Sequence, residues 1–457
     1  MDRIRFVPRI AAATIALLTL GTAPGWARHV SGDLATARVP ARVATAFSAA
    51  ASRTCWLEFG HTCVVSDLER LPVVDDIVRY RFRVRVGPGP FDVIRMHRVV
   101  RERRPFVPAR TKDALFVLHA GSTGFEASFL PNLTTSLTPR THAMPVFMAR
   151  NGVDVWGMDL GWILVPADVT EFPFFADWGF DKEVSQTRAG LGIARALRAA
   201  TSGDVGRMDF LGWSYGAQVG YVLVAEETQL PSWRRHVKGF IPVDMAMKYE
   251  PGALPDWVCG AAAYYQQVQD SGQYGDGSAS FYSYVAALAI NDPLGESPVS
   301  PPLNNQQAAL LVGAGAGGFT PTFHMVAGTF DEQGTPTGLE FTQPDLFIHG
   351  LAGVSPYSPV LTFVDQFNTW CDQTDVPFDD HLGDVKVPTL YLGAAGGFGQ
   401  AGVYSTTLLG SEDVTIRIVT LRPAGEEALD IGHWDLWIAD NAAKVAWRPI
   451  LDWLKKH

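Results

Sequence analysis

Gly212, Trp213, Ser214, Tyr215 and Gly216 form a GxSxG sequence between an apolar run, "MDFLGW", and a helix-forming run, "AQVGYVLV". Glycines two residues to either side of a serine suit a nucleophile on a sharp strand-to-helix turn, where larger neighbours would clash with backbone. The chemistry of such a serine is acyl transfer, which needs a base. Of eleven histidines, His433 in "LDIGHWDLW" is the candidate, on a loop between the last expected strand and the last helix. His119, in "LHAGSTG", is expected to shape a turn, and His324, His349 and His381 to be surface or cap residues. A tetrahedral oxyanion needs backbone donors. Tyr215, directly after the serine, supplies the first. The glycine loop after "FVLHA" supplies the second, with Gly121 the first choice and Ser122 the alternative. Trp213 is expected beside the substrate, in an apolar pocket.

These residues need elements to carry them. "VRYRFRVRV" and "FDVIRMHRVV" alternate apolar and basic residues around "GPGP", as an antiparallel pair of strands does. After Arg110 the pattern changes to short apolar runs separated by helical segments, the signature of a mostly parallel sheet covered on both faces. Strands are expected at Ala114 to Ala120, Gly152 to Asp159, Arg207 to Trp213, Val237 to Asp244, Val387 to Gly393 and Val414 to Leu421, making eight in all. Helices are expected at Asp181 to Ala200, Ala217 to Glu227 and Asn441 to Lys456. Residues 28 to about 75 show no clear pattern. The stretch between Asp244 and Val387, rich in Gly, Pro, Ser and aromatics, is too long for a structureless loop and is expected to be a cap with its own helices.

This order of strand, glycine loop, GxSxG, cap and late histidine resembles the α/β-hydrolase superfamily. "NGVDVWGMDLG" (Asn151 to Gly161) and "GHWDLW" (Gly432 to Trp437) are similar to the acid-lipase branch, which includes gastric and lysosomal lipases. The resemblance covers roughly Ala114 to Asp244 and Val387 to His457. It implies an α/β fold with an eight-stranded, mostly parallel sheet and a cap inserted after the sixth strand. It also implies hydrolysis of carboxylic esters by a Ser, His and acid triad. The chain departs from that branch in two places. Trp213 and Tyr215 replace His and Gln around the serine, and "VPTLYLGAAGGFGQ" lacks the aspartate expected after the late strand. Asp244, which closes the strand after the nucleophile helix in "FIPVDMAM", is the other position from which such folds present an acid. A carboxylate ending an apolar strand is costly unless paired. Glu426, Glu427 and Asp430 lie too close to His433 in sequence to reach across its ring; Asp435 suits a cap of the last helix and Asp159 a turn. The expected triad is Ser214, His433 and Asp244.

Composition bounds the rest. The 457 residues carry a formal net charge of -10, which argues against a nucleic-acid partner. The start, "MDRIRFVPRIAAATIALLTLGTAPGWARHV", has a basic end, an apolar segment of about 14 residues and small residues near Ala27, as a secretory signal does. That divides the chain into a signal at residues 1–27, a first core segment at 28–244, a cap at 245–386 and a second core segment at 387–457, secreted or periplasmic. Four cysteines in an oxidising compartment allow three pairings; Cys55 with Cys63 and Cys259 with Cys371 is favoured. No metal or organic cofactor is implied, no later membrane span is evident, and oligomeric state is open. The substrate would be a small-molecule, lipid or polymer ester. A polyester depolymerase or a cofactor-free perhydrolase would use the same triad, and a non-catalytic binding protein could share the scaffold.

Overall fold

The computed structural model describes residues 39–457, so the expected signal at 1–27 lies outside the described residues. The main sheet runs through nine strands: β1 (Val64–Val74), β2 (Ile77–Arg85), β3 (Val93–Arg104), β4 (Asp113–Leu118), β5 (Val153–Asp159), β6 (Met208–Trp213), β7 (Val237–Val243), β8 (Thr389–Ala394) and β9 (Val414–Val419). Their order is β1-β2-β3-β5-β4-β6-β7-β8-β9, with a two-residue strand, Val107–Pro108, beside β3. β1, β2 and β3 are antiparallel, and β4 to β9 are parallel to one another. The parallel strands β5, β6 and β8 are buried at every position, which is why they read as continuous apolar runs rather than alternating ones.

β1 makes one strand more than the sequence pattern suggests. Its alternation is broken by a register shift between Ser66 and Glu69, where Asp67 takes φ 53°. Charge rather than hydrophobicity sets its register: Glu69 faces Arg81 across the pair and its carboxylate lies 2.6 Å from the Arg81 guanidinium. Complementary cross-strand charges of this kind stabilise a pair without leaving a period-two apolar signal. Before β1, the helix Ala41–Phe59 packs on the helix Phe180–Ser202, and the Cys55–Cys63 disulfide ties it to the start of the strand.

The chain changes direction at β4. It leaves β4 to form β5 on one side and then β6 on the other, so the carboxyl ends of β4 and β6 mark a topological switch point, where such sheets bind ligands. The expected late helix is a π turn, Ala443–Trp447, running into the α-helix Arg448–Leu454.

Between β7 and β8 lies an insertion with five helices, Val258–Asp270, Ser280–Asn291, Asn305–Ala314, Pro344–Ala352 and Val360–Cys371. The Cys259–Cys371 disulfide joins the first of these to the last across 112 residues. Closing a loop of that length removes about 4 to 5 kcal/mol of unfolded-state entropy in the chain-entropy model. Replacing both cysteines by serine should therefore lower the guanidinium unfolding midpoint by an amount equivalent to about 4 kcal/mol; an unchanged midpoint would show that the insertion is held by its core contacts alone.

Candidate active site

β6 ends in Trp213, and the helix Tyr215–Thr228 begins two residues later. The link is Ser214, held at φ 53°, ψ -126°, a conformation that side-chain-bearing residues rarely adopt. Both flanking glycines are required by contact. A Cβ on Gly212 would sit 2.1 Å from the Gly216 carbonyl oxygen, and one on Gly216 would sit 2.4 Å from the His119 carbonyl oxygen. From Met208 to Ala225 every residue is buried except Ser214. The turn thus presents one hydroxyl at the carboxyl edge of the sheet, at a helix N-terminus.

Asp244 follows β7 at φ 48° and is wholly buried. Its Oδ1 accepts hydrogen bonds from the backbone N–H groups of Ala394 (2.8 Å) and Gly399 (2.9 Å). Its Oδ2 accepts Nδ1–H of His433 at 2.7 Å. The other ring nitrogen, Nε2, makes no hydrogen bond among the described residues. The stretch "VPTLYLGAAGGFGQ" is what makes this possible. A Cβ on Gly397 would lie 1.9 Å from Asp244 Oδ2, so the end of β8 and the residues after it supply space and backbone donors where the resembled branch supplies a carboxylate.

The imidazole is walled by aromatic rings: Trp213 at 5.1 Å, Phe323 at 5.3 Å and Phe398 at 6.1 Å between centroids. Trp213 was expected to line a substrate pocket. It is instead 1% exposed, because it packs beneath the histidine loop against Trp434 and Trp437; it touches the His433 ring rather than open space.

On the other side of the serine, Gly121 is exposed and approaches Tyr215, a Cβ placed on it falling 3.5 Å from Tyr215 Cβ. The N–H of Gly121 makes no hydrogen bond among the described residues, and that of Tyr215 belongs to the open first turn of its helix. Ser122 is held differently: at φ 58°, its carbonyl accepts the Ser355 N–H (2.7 Å) and its hydroxyl meets that of Ser358 (3.2 Å). Asp159 fixes the loop by accepting the Phe125 N–H at 2.6 Å. His119 donates Nδ1–H to the Ala120 carbonyl (2.7 Å) and accepts the Leu160 N–H on Nε2 (3.1 Å). Burial lowers its pKa, so it stays neutral and shapes the turn.

No family model matches the chain, and no curated protein matches it in sequence. Among solved structures, a provisionally assigned lipase from Sulfolobus solfataricus superposes with a TM-score of 0.59 at 18% identity, covering 86% of this chain and 99% of that one. The chain has the α/β-hydrolase fold. A monoglyceride lipase of Saccharomyces cerevisiae (TM-score 0.42, 9% identity, 86% and 95% covered) and a thermophilic esterase of Thermogutta terrifontis (0.39, 12%, 82% and 98%) are also similar.

Several residues that bear on the site carry no motif. The sequence places His324 at the surface or in the cap; it lies in the insertion, but 1% exposed and wedged under the histidine loop. It fits there because Gly396 and Gly432 lack side chains: a Cβ on either would reach its ring at 2.1 and 2.8 Å. Its carbonyl accepts the His433 N–H at 3.0 Å, and its Nε2 donates to the Asp430 carbonyl at 2.7 Å. Asp435 does more than cap a helix: it accepts N–H groups of Gly432 and Ala327, both at 2.8 Å, tying the histidine loop to the insertion. Among the described residues no group of three or more His, Cys, Asp or Glu side chains is arranged to hold a metal ion.

The contact at Gly397 generates a direct test. Gly397→Ala places a methyl group into Asp244 Oδ2, and a displacement of that size should lower kcat on a short p-nitrophenyl ester by about 100-fold. Gly383→Ala, whose Cβ meets nothing within 4 Å, should leave kcat unchanged.

Proposed function

We propose that the chain is a secreted serine hydrolase that cleaves carboxylic esters, with Ser214 as nucleophile, His433 as base and Asp244 as the orienting acid. The observation that carries the reading is the 2.7 Å contact between Asp244 Oδ2 and His433 Nδ1 beside the strained Ser214 turn. In this reaction Ser214 Oγ attacks the ester carbonyl while Nε2 of His433 takes its proton, and Asp244 stabilises the imidazolium through Nδ1–H. The tetrahedral oxyanion rests on the N–H groups of Tyr215 and Gly121. The imidazolium then protonates the leaving alcohol; water, deprotonated by the same nitrogen, attacks the acyl-serine and releases the acid.

The provisional lipase assignment of the Sulfolobus solfataricus structure fits this reaction. The acid-lipase likeness rests on "NGVDVWGMDLG" and "GHWDLW". Export rests on the leader at 1–27 together with two disulfides, which persist in oxidising compartments. Among the described residues no helix is long and apolar enough to cross a membrane.

The substrate reading favours neutral, apolar esters over anionic ones. Between Tyr249 and Val385 the chain carries no Lys or Arg and 16 Asp and Glu. The helix Ser280–Asn291 in this segment has no charged residue and exposes Phe281, Tyr284 and Ile290. A cap of that composition repels an anionic substrate and presents apolar surface to a neutral one.

Two measurements follow. A fluorophosphonate probe should label Ser214 in the folded protein and fail to label Ser214→Ala or His433→Ala; an unlabelled wild type would end the enzyme reading. An ester bearing a carboxylate near the scissile bond should show a lower kcat/KM than its neutral isostere, with the gap narrowing as salt screens the cap. Equal rates, or a gap indifferent to salt, would remove the charge argument.

A further inference from the structure

Glu183 stands in the first turn of the helix Phe180–Ser202 and is fully buried. Its carboxylate accepts hydrogen bonds from Trp162 Nε1 at 2.8 Å, from Thr362 Oγ1 at 3.2 Å and from the Tyr215 hydroxyl. No Lys, Arg or His pairs with it among the described residues, and burial pushes its carboxyl up to about 8. An acid so placed is expensive, and the catalytic cycle above does not use it. Its three partners come from three places. Trp162 follows β5, Tyr215 follows the nucleophile, and Thr362 belongs to the last helix of the insertion.

That last helix, Val360–Cys371, is fastened to the core along one face. Asp365 Oδ2 accepts the Phe180 N–H at 2.8 Å, in space left by Gly179, whose Cβ would fall 2.1 Å away. Gln366 bonds to Gln218 on the nucleophile helix, and Trp370 Nε1 donates to the Ala246 carbonyl at 2.8 Å. Positions 362, 365, 366 and 370 fall on one side of a helix. Tyr215 is the point where this seam meets the site. Its ring stacks on Phe180 at 5.7 Å, and its Cβ is what Gly121 packs against. A displaced Tyr215 side chain therefore disturbs both backbone donors assigned to the oxyanion.

We propose that Glu183 is a positioning residue for the oxyanion hole: gripped by Thr362 of the insertion, it anchors Tyr215, so the two donors are aligned only when the helix Val360–Cys371 is seated. The inference rests on the serine-hydrolase reading and adds a coupling between cap and hole that the triad does not require. In the reaction Glu183 exchanges no proton with substrate; it acts through Tyr215.

The test compares Glu183→Gln, Tyr215→Phe, Thr362→Val and the double variant Glu183→Gln/Tyr215→Phe on a short p-nitrophenyl ester, with melting temperature and fluorophosphonate labelling rate followed for each. Loss of one oxyanion donor costs about 100- to 1,000-fold in kcat, and misalignment less. Glu183→Gln and Tyr215→Phe should each lower kcat by about 10- to 100-fold with KM within about threefold. The double variant should lose no more than the worse single one, because both break one link. Thr362→Val should lower kcat in the same direction without touching Tyr215, and carries the test if Glu183→Gln does not fold. Variants that melt earlier but keep wild-type kcat, or single losses that multiply in the double variant, would overturn the proposal. A wild type that fails to label would overturn the serine-hydrolase reading and this inference with it. Normal wild-type labelling with unchanged kcat in Glu183→Gln would overturn the inference alone.

Discussion

A carboxylate buried at the end of β7 needs donors, and Asp244 finds two in the backbone of the neighbouring strand end, Ala394 and Gly399, and a third in the imidazole of His433. Much of the surrounding sequence follows from satisfying that one group. The residues after β8 must be small, because a side chain at Gly397 would overlap the carboxylate. The histidine loop must lie against the same strand end, which it does through the Gly396 N–H bond to the Ile431 carbonyl at 2.9 Å. His324 and Asp435 then pin that loop to the insertion. Because Oδ1 is already saturated by backbone donors, only Oδ2 is left for the ring, which fixes one tautomer and leaves Nε2 without a partner among the described residues.

The parts of this arrangement that depend on local pattern were legible in the chain. The parallel strands show as apolar runs, the strand-to-helix turn at Ser214 as GxSxG, and Asp244 as an acid ending a buried strand. What escaped reading depends on tertiary contact. β1 hides behind a bulge and a cross-strand ion pair. Glu183 looks like any acid in the first turn of a helix, where it would normally face water; only the fold shows that Trp162, Tyr215 and Thr362 enclose it. His324 sits among cap residues in sequence and under His433 in space. Trp213 reads as a substrate contact because it adjoins the serine, yet the following turn directs its ring into the core.

The insertion is attached to the core sheet and its helices by polar groups withdrawn from solvent, not by an apolar seam alone. Hydrogen bonds of this kind are directional, so they specify one seating of the helix Val360–Cys371 on the helix Tyr215–Thr228. The outer surface of the same segment has the opposite character, with no cationic side chain from Tyr249 to Val385. On the proposed reading, one element orders the site on its inner side and sets an electrostatic filter on its outer side.

The central claim is that the acid comes from β7. Steady-state kcat for Asp244→Asn on a soluble p-nitrophenyl ester, beside Asp430→Asn as a carboxylate of the histidine loop, tests it most directly. The account predicts a loss of about 10,000-fold for Asp244→Asn, as when an orienting acid of a serine triad is replaced, and a kcat near wild type for Asp430→Asn. A folded Asp244→Asn protein that keeps kcat within tenfold of wild type would contradict it.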